Sequence, residues 1–342
     1  MQGVDNLAVL SRTTGALSLT GSPLDLGGVS NAEVWKLVAD GTTVYAAGQF
    51  SLSSGGRTYK NLVAFNGTTG QIVSGFRPTN VPSIKAATFI AGRLYVGGTK
   101  LFAVDAGNGE EIRSFQASTV ATDGSIRAHR TPPQHRDLEF LNGYLYSACQ
   151  CDSLTQGGRT RSVKALVRFD AVTGEHDDRF LPEGLGEAAT GICVATLGGD
   201  LYLGAGGSDF LGKYSASLSY GSSAKIGRQL WKRDTSGSTQ AVEVSGSDVI
   251  IGGHFVEIAD AAGDSCGFKS SDRRTLDPDD ECQTRNRLAS YTVSGALQGW
   301  NPSVTGEYNG VWAIALDGAR VYIGGEFTRV SGDLQTYYAR LD

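Results

Sequence analysis

Few stretches of this 342-residue chain gather side chains that could do chemistry. LDPDDEC (276–282) brings together Asp277, Asp279, Asp280 and Glu281, and carboxylates at alternating spacing can chelate Ca²⁺. The glycine and distal glutamate of an EF-hand loop are absent, so an exposed acidic loop is the simpler reading. AHRTPPQHR (128–136) carries His129, Arg130, His135 and Arg136 beside Asp137. Histidines six apart in a Pro-Pro segment match no ligand pattern, which predicts a solvated basic loop. Arg273 and Arg274 form a second exposed basic pair. The five cysteines are Cys149, Cys151, Cys193, Cys266 and Cys282, an odd count that fits no complete disulfide framework. Cys266 and Cys282 bracket a polar, charged insertion. A disulfide is expected there, worth ~3 kcal/mol in the chain-entropy model. No GxSxG, HExxH or P-loop is present, nor a sialidase-type Ser-x-Asp-x-Gly-x-x-Trp box. Asn66-Gly67-Thr68 is a formal glycosylation sequon that reads as turn chemistry.

The elements that must position these residues are clearer. VWAIALDGARVYIGGEF (311–327) is an apolar run, an Asp-Gly turn and a second run ending in Gly-Gly. Short Val/Ile-rich runs around Asp-Gly predict a β-hairpin. The pattern recurs six times, anchored on Tyr45, Tyr95, Tyr146, Tyr202, Ile250 and Tyr322, with steps of 50, 51, 56, 48 and 72 residues. A period near 50 is that of a propeller blade. After each hairpin comes a strand–turn–strand unit such as LVAFNGTTGQIVSGF (62–76) or LVRFDAVTGEHDDRF (166–180). Four strands, a to d, therefore form one antiparallel meander. LAVLSRTTGAL (7–17) matches strands c and d, and YYARLD (337–342) matches strand c, so both ends offer a strand c. Repeat 4 loses its turn motif after Tyr214, which leaves its outer strands, 213–231, the hardest to place. The expected fold is an all-β propeller of six four-stranded blades in one domain, 1–342, with 256–287 inserted in blade 5.

The Tyr-x-Gly-Gly hairpins followed by strand, turn and Trp/Phe resemble the kelch repeat. AVDAGNGEEIRSF (103–115) is similar to the turn motif of quinoprotein-type propellers, and GGEFTRVSG (324–332) to bacterial extracellular repeats of the Gly-Gly-x-Phe-Thr kind. Nearly the whole chain shares this rhythm. The resemblance implies architecture; propellers host many activities, so function must come from a site. Cys149-Gln150-Cys151 departs from the adjacent cysteines of quinoprotein dehydrogenases.

In such a meander the a–b and c–d turns leave one face, and the b–c and d–a connections the other. The long segments 51–60, 116–136, 152–164, 181–190, 256–287 and 301–309 are all of the second kind, so one face is plain and the other elaborated. Function concentrates on such loops. Ten residues before each anchor stand Trp35, Lys85, Arg136, Ile192, Gln240 and Trp312, which should ring the channel mouth on the elaborated face. Trp35 and Trp312 beside Lys85 and Arg136 would hold a sugar or peptide, or would simply pack between blades. The insertion is charged and carries the one expected staple, which makes it the expected partner-binding element, dispensable to the scaffold.

A net charge of −5 argues against nonspecific nucleic-acid binding, and no apolar run is long enough to insert in a membrane. MQGVDNLAVLS does not read as a secretory signal. The expectation is non-catalytic recognition or structural assembly at a cell surface, with a protein or glycan partner on the long-loop face, as part of a larger assembly, and no cofactor beyond Ca²⁺. One alternative is a virion tail or fibre component. Another is an enzyme acting on a glycan or small substrate, which would show two or more carboxylates converging at the channel mouth.

Overall fold

The structure, a computed structural model, describes residues 32–122, 132–261, 282–306 and 310–342, together with Leu7 and Cys266. Among the described residues every regular element is a strand. The six expected hairpins are present. Strands a and b are Glu33–Asp40 and Thr43–Ser54 in repeat 1, Ala86–Ile90 and Arg93–Gly97 in repeat 2, and Gln134–Leu141 and Tyr144–Gln150 in repeat 3. They are Thr190–Leu197 and Asp200–Gly206 in repeat 4, Thr239–Ser245 and Asp248–Gly253 in repeat 5, and Gly310–Asp317 and Arg320–Glu326 in repeat 6. Asn142 and Gly143, both at positive φ (51° and 84°), show the tight hairpin turn at work. Strand c pairs antiparallel with strand b in each repeat: Arg57–Asn66, Lys100–Asp105, Leu166–Asp170, Phe210–Ser215, Leu288–Thr292 and Tyr338–Leu341.

The fourth strand differs from expectation. Among the described residues only repeat 4, the hardest to place from sequence, has a full strand d, Gln229–Asp234. In repeats 1, 2, 3 and 5 it shrinks to single bridges, Phe65–Ile72, Val104–Glu111, Phe169–His176 and Tyr291–Leu297. The turn before it is fixed by side chains instead. Asn66, Asp105 and Asp170 each accept two backbone amides through Oδ1, so Asn66 is indeed a turn residue.

Two features explain the Gly-Gly ending of strand b. A Cβ on the second glycine (Gly48, Gly98, Gly253, Gly325) would overlap a carbonyl oxygen of the neighbouring strand a segment, that of Glu33, Ser83, Ser238 or Gly310. A Cβ on the first would strike the next repeat: at Gly97 it would lie 2.8 Å from the Cβ of His135, and at Gly252 it would overlap Val311. One glycine therefore serves the hairpin and the other the joint between repeats.

The joints repeat as well. The Tyr45 hydroxyl of repeat 1 donates to Ala106 O of repeat 2 (2.8 Å), and Tyr95 of repeat 2 donates to Ala171 O of repeat 3 (2.6 Å). In the next two joints cations replace the hydroxyl: Arg168 donates to Ala216 O (2.9 Å) and Lys213 to Val293 O (3.0 Å). Each strand b tyrosine in repeats 1 to 4 also packs edge-on against the aromatic that closes its repeat, Phe76, Phe115, Phe180 or Trp231. Such pairs contribute ~0.5–1.5 kcal/mol each beyond area burial. Strands a of successive repeats share apolar clusters between the sheets. Sheets stacked face to face around one axis, strand a innermost, define a β-propeller.

The joint between repeats 6 and 1 is different. Trp35 and Trp312 stack there, but Leu37 beside them is 48 % exposed, and Ala313 and Ala315 are exposed too. Against the face of repeat 1, Leu7 packs on Val63 and Phe65, as Leu62 packs on Phe102 and Val104 of repeat 2. Tyr338, the strand c residue of repeat 6 that matches Leu62, is 39 % exposed. Of the two strand c candidates, the N-terminal one contributes Leu7, its one described residue, to the cluster on the face of repeat 1.

Three long segments that read as loops, and a fourth segment between strands b and c of repeat 6, are hairpins on the elaborated face. Ser53–Ser54 turns back at Gly55-Gly56, and Ser153–Gln156 pairs with Arg159–Ser162 across Gly157-Gly158. Arg329–Val330 pairs with Asp333–Leu334, and Glu257–Ala259 with Cys282–Thr284. Each is pinned by one buried aliphatic, Leu52, Leu154, Val330 or Ile258. Ser118–Ala121 joins the Ser153–Gln156 hairpin to strand c of repeat 2, so one six-stranded sheet spans repeats 2 and 3. The insertion 256–287 is therefore not dispensable as a whole: Ile258 lies in the core between repeats 4 and 5, and Tyr291 donates to Ala259 O. Its centre, apart from Cys266, lies outside the described residues. Cys266 and Cys282 are disulfide-bonded, as expected; Cys149 and Cys151 form a second, buried disulfide that the sequence did not assign.

The glycine argument predicts that Gly325→Ala destabilises the protein by about 2 kcal/mol or more, because a backbone carbonyl cannot move aside. Gly75→Ala, with no atom within 4 Å of the new methyl, should change stability by less than about 0.5 kcal/mol. Urea denaturation of both variants checks the contrast.

Candidate functional site

The six residues expected at the channel mouth line one cavity of ≈140 Å³. Five of them, Trp35, Arg136, Ile192, Gln240 and Trp312, are the extra residue of a β-bulge in strand a. Lys85 takes the same place just before strand a of repeat 2, its amide bonded to Gly97 O at 2.8 Å. A bulge leaves one residue unpaired and re-aims its side chain, here toward the propeller axis.

At this mouth Trp35 and Trp312 stack with centroids 5.8 Å apart, and the Lys85 ammonium lies 3.0 Å from the Trp35 ring centroid. The tryptophans pack on each other between repeats 6 and 1, and both also line the cavity. Their indole nitrogens are buried without hydrogen-bond partners among the described residues. Neither Lys85 nor Arg136 has a carboxylate within ion-pair distance among the described residues. Burial pushes the Lys85 amine down to about 8, with Glu33 opposing and Arg136 adding to the shift. Burial also lowers Arg136.

One and three residues past the bulge stands a second layer that the sequence reading missed. Lys36 of repeat 1 donates to Asp137 of repeat 3 at 2.6 Å, across 101 residues of chain. The other Asp137 oxygen accepts the Val194 amide of repeat 4 at 3.1 Å. Glu139 of repeat 3 and Glu243 of repeat 5 line the same cavity. The even-numbered repeats place Ala86, Thr88, Cys193, Ala195, Ala313 and Ala315 at the matching positions, which leaves room for the charged side chains. Burial opposes the Lys36 charge, yet Asp137, then Glu139 and Glu243, outweigh it and raise the amine to about 12. About a third of the Lys36 side chain (36 %) is accessible, and that surface faces the cavity. Burial, with Asp137 adding, raises Glu139 to about 8; Lys36 opposes. Burial raises Glu243 to about 7, with Lys36 opposing and Asp137 adding. The signal was present: charges in WKLV, RDLE and QAVE interrupt strands that are otherwise apolar.

The expected loop residue His135 is instead a core residue. It sits in strand a of repeat 3, fully buried, with Nδ1 2.7 Å from Ser147 Oγ and its ring edge-on to Phe169. Burial pushes it down to about 3, so it is neutral and unavailable to a partner. His129, Arg130, Arg273, Arg274, Asp277, Asp279, Asp280 and Glu281, and with them the calcium expectation, lie outside the described residues. Among the described residues no three His, Cys, Asp or Glu side chains are grouped to hold a metal ion. Cys193 is a buried free thiol at the cavity wall, raised by burial and then by Asp137.

No protein-family model and no curated protein matches the chain. Solved structures do. The extracellular domain of the one-component-system protein BT4673 from B. thetaiotaomicron aligns with TM-score 0.50 and 12 % identity over 93 % of this chain and 34 % of that one. The computationally designed protein Ika8 aligns at TM-score 0.48 and 13 % identity, covering 89 % and 88 % of the two chains. BamB from Moraxella catarrhalis aligns at 0.46 and 12 %, covering 84 % and 68 %. At 12 % identity the likeness to the BT4673 domain concerns the fold alone; the geometry of the sheets makes the chain a β-propeller. No helix among the described residues is long and apolar enough to cross a membrane.

The buried glutamates predict a pH dependence. Glu139 and Glu243 hold their protons in the folded state up to about 8 and 7, but lose them near 4.5 when unfolded. The folded state then binds more protons, so these two groups remove stability as pH rises from 4.5 to 8. Glu139→Gln/Glu243→Gln should match the parent near pH 4.5 and exceed its melting temperature at pH 8 by roughly 2 °C or more. Parallel thermal scans across that range check this.

Proposed function

We propose that this propeller is a non-catalytic recognition module working at a cell or particle surface, with a protein or glycan partner held on the elaborated face around the channel mouth. One observation carries the reading: Lys85 and Arg136, both half-buried and without carboxylate partners among the described residues, flank a stacked tryptophan pair at an open cavity. Half-buried cations beside aromatic faces suit a ligand that brings its own acceptors. The hairpins pinned by Leu52, Leu154, Val330 and Ile258 surround that mouth by topology and would supply the rim. Two disulfides fit an oxidising compartment, which supports a location outside the cytoplasm.

Glycan and peptide arrays probed with the whole chain test the reading. Lys85→Ala/Arg136→Ala should weaken any array ligand at least tenfold, while Ser247→Ala in an a–b turn of the plain face should leave it within twofold. The reverse pattern sinks the proposal. The insertion contributes if trimming 262–281 to a short linker, with Cys282→Ser and Ile258 kept, weakens the same ligand without lowering the melting temperature. A trimmed protein that binds at full strength removes the insertion from the site.

A second reading is favoured by the convergence of Asp137, Glu139 and Glu243 on one cavity, which is what an enzyme requires. Glu139 and Glu243, titrating near neutrality, are suited to general acid–base work on a glycan. Hydrolysis of aryl glycosides by the parent, lost in Glu139→Gln, would favour this reading over pure recognition.

A further inference from the structure

The channel holds two layers of ionisable groups, basic at the mouth and acidic beneath it, neither paired with a counter-charge of its own among the described residues. At the mouth stand Lys85 and Arg136, without carboxylate partners among the described residues. Three residues further along strand a stand Glu139 and Glu243, and among the described residues no side chain donates a hydrogen bond to either carboxyl. Between the layers Lys36 and Asp137 neutralise each other at 2.6 Å. Burial favours the neutral forms of Glu139, Glu243 and Lys85, so a counter-charge placed against either layer would favour its ionised form. A ligand with one charge leaves the other layer unmatched; a ligand carrying both signs satisfies both.

We propose that the channel binds a basic amino acid, free or at the C-terminus of a peptide, with its carboxylate between Lys85 and Arg136 and its side-chain cation between Glu139 and Glu243. The proposal rests on reading the mouth as a binding face and names what enters beneath it. The dimensions agree. Three residues of strand separate the layers by about 10 Å. An extended lysine spans about 7 Å from carboxylate to ammonium, short enough to lie between the two layers with each end within reach of the side chains of one layer. A cavity of ≈140 Å³ has the volume of about five liquid waters. The stem of the ligand would run past Trp312, Ala313 and Ile314 of repeat 6, which bring no charge to the cavity.

Binding is linked to protons. The groups facing Glu139 and Glu243 are Lys36 from repeat 1, Lys85 from repeat 2, Arg136 and Asp137 from repeat 3 and the Cys193 thiol from repeat 4. An incoming cation favours the ionised carboxyls, so protons leave as the ligand enters and affinity rises between pH 6 and 8.

Calorimetric titration of the whole chain at pH 8 with L-lysine and L-arginine tests this. The comparators are L-norleucine, which lacks the side-chain cation, and cadaverine, which lacks the carboxylate. At least one of the two amino acids should bind tenfold or more tighter than both comparators. Glu139→Gln/Glu243→Gln should cost at least tenfold and abolish the rise with pH, and its higher melting temperature at pH 8 would show that it is folded. No heat with either amino acid at millimolar concentration overturns the proposal, as does cadaverine binding equal to that of lysine. If array ligands are lost in Lys85→Ala/Arg136→Ala while neither amino acid binds, the recognition reading stands and this inference falls.

Discussion

Repeats 1, 2, 5 and 6 depend on the close approach of strand a to the end of strand b. Strand a bulges where it leaves the elaborated face, and a carbonyl oxygen beside the bulge occupies the space a Cβ would take on the partner residue. Glycine at that position lets the ladder resume in register, and the bulged residue is free to turn toward the axis. Without the contact the register would slip, and every side chain beyond it would change face. Repeats 3 and 4 place Cys149 and Ala205 there; Gly191 of repeat 4 instead lies against the Ala165 carbonyl of repeat 3, at the joint between the two repeats.

The same constraint divides labour around the axis. Bulge residues make a mouth of two tryptophans, two cations, Gln240 and Ile192. Residues one and three further on make a charged interior in odd repeats and small side chains in even ones. A β-propeller interior lined this way remains a polar cavity because paired and unpaired charges resist collapse. The joints between sheets are apolar by contrast, closed by tyrosine or cation to the turn carbonyl of the next repeat.

Sequence made the hairpins legible because each carries its own turn, its own glycines and one anchor that repeats near every 50 residues. The mouth followed, since a fixed offset from the anchor suffices to find it. His135 was misplaced because the adjacent Pro132-Pro133 reads as loop, yet strand a begins at Gln134. The face hairpins were hidden for another reason: Gly55-Gly56 and Gly157-Gly158 are sound turn signals, but the flanking runs SLSS and SLTQ carry one aliphatic each. The inner charges needed three repeats to be superposed at single-residue precision. No local pattern shows that Lys36 meets Asp137. The disulfide of Cys149 and Cys151 was invisible for the opposite reason, since two residues of separation resemble no framework.

The pair between Lys36 and Asp137 has a consequence for the order in which the molecule can form. Hairpins close loops of a few residues and need nothing from elsewhere in the chain, so they nucleate early and independently. The bond between Lys36 and Asp137 joins residues 101 apart, skips repeat 2 and exists only once three sheets stand around the axis. During synthesis from the N-terminus, Lys36 is exposed as an ordinary surface amine until repeat 3 emerges, and Glu243 arrives later still. The channel acquires its electrostatics last, as a property of the assembled ring of sheets and of no single repeat.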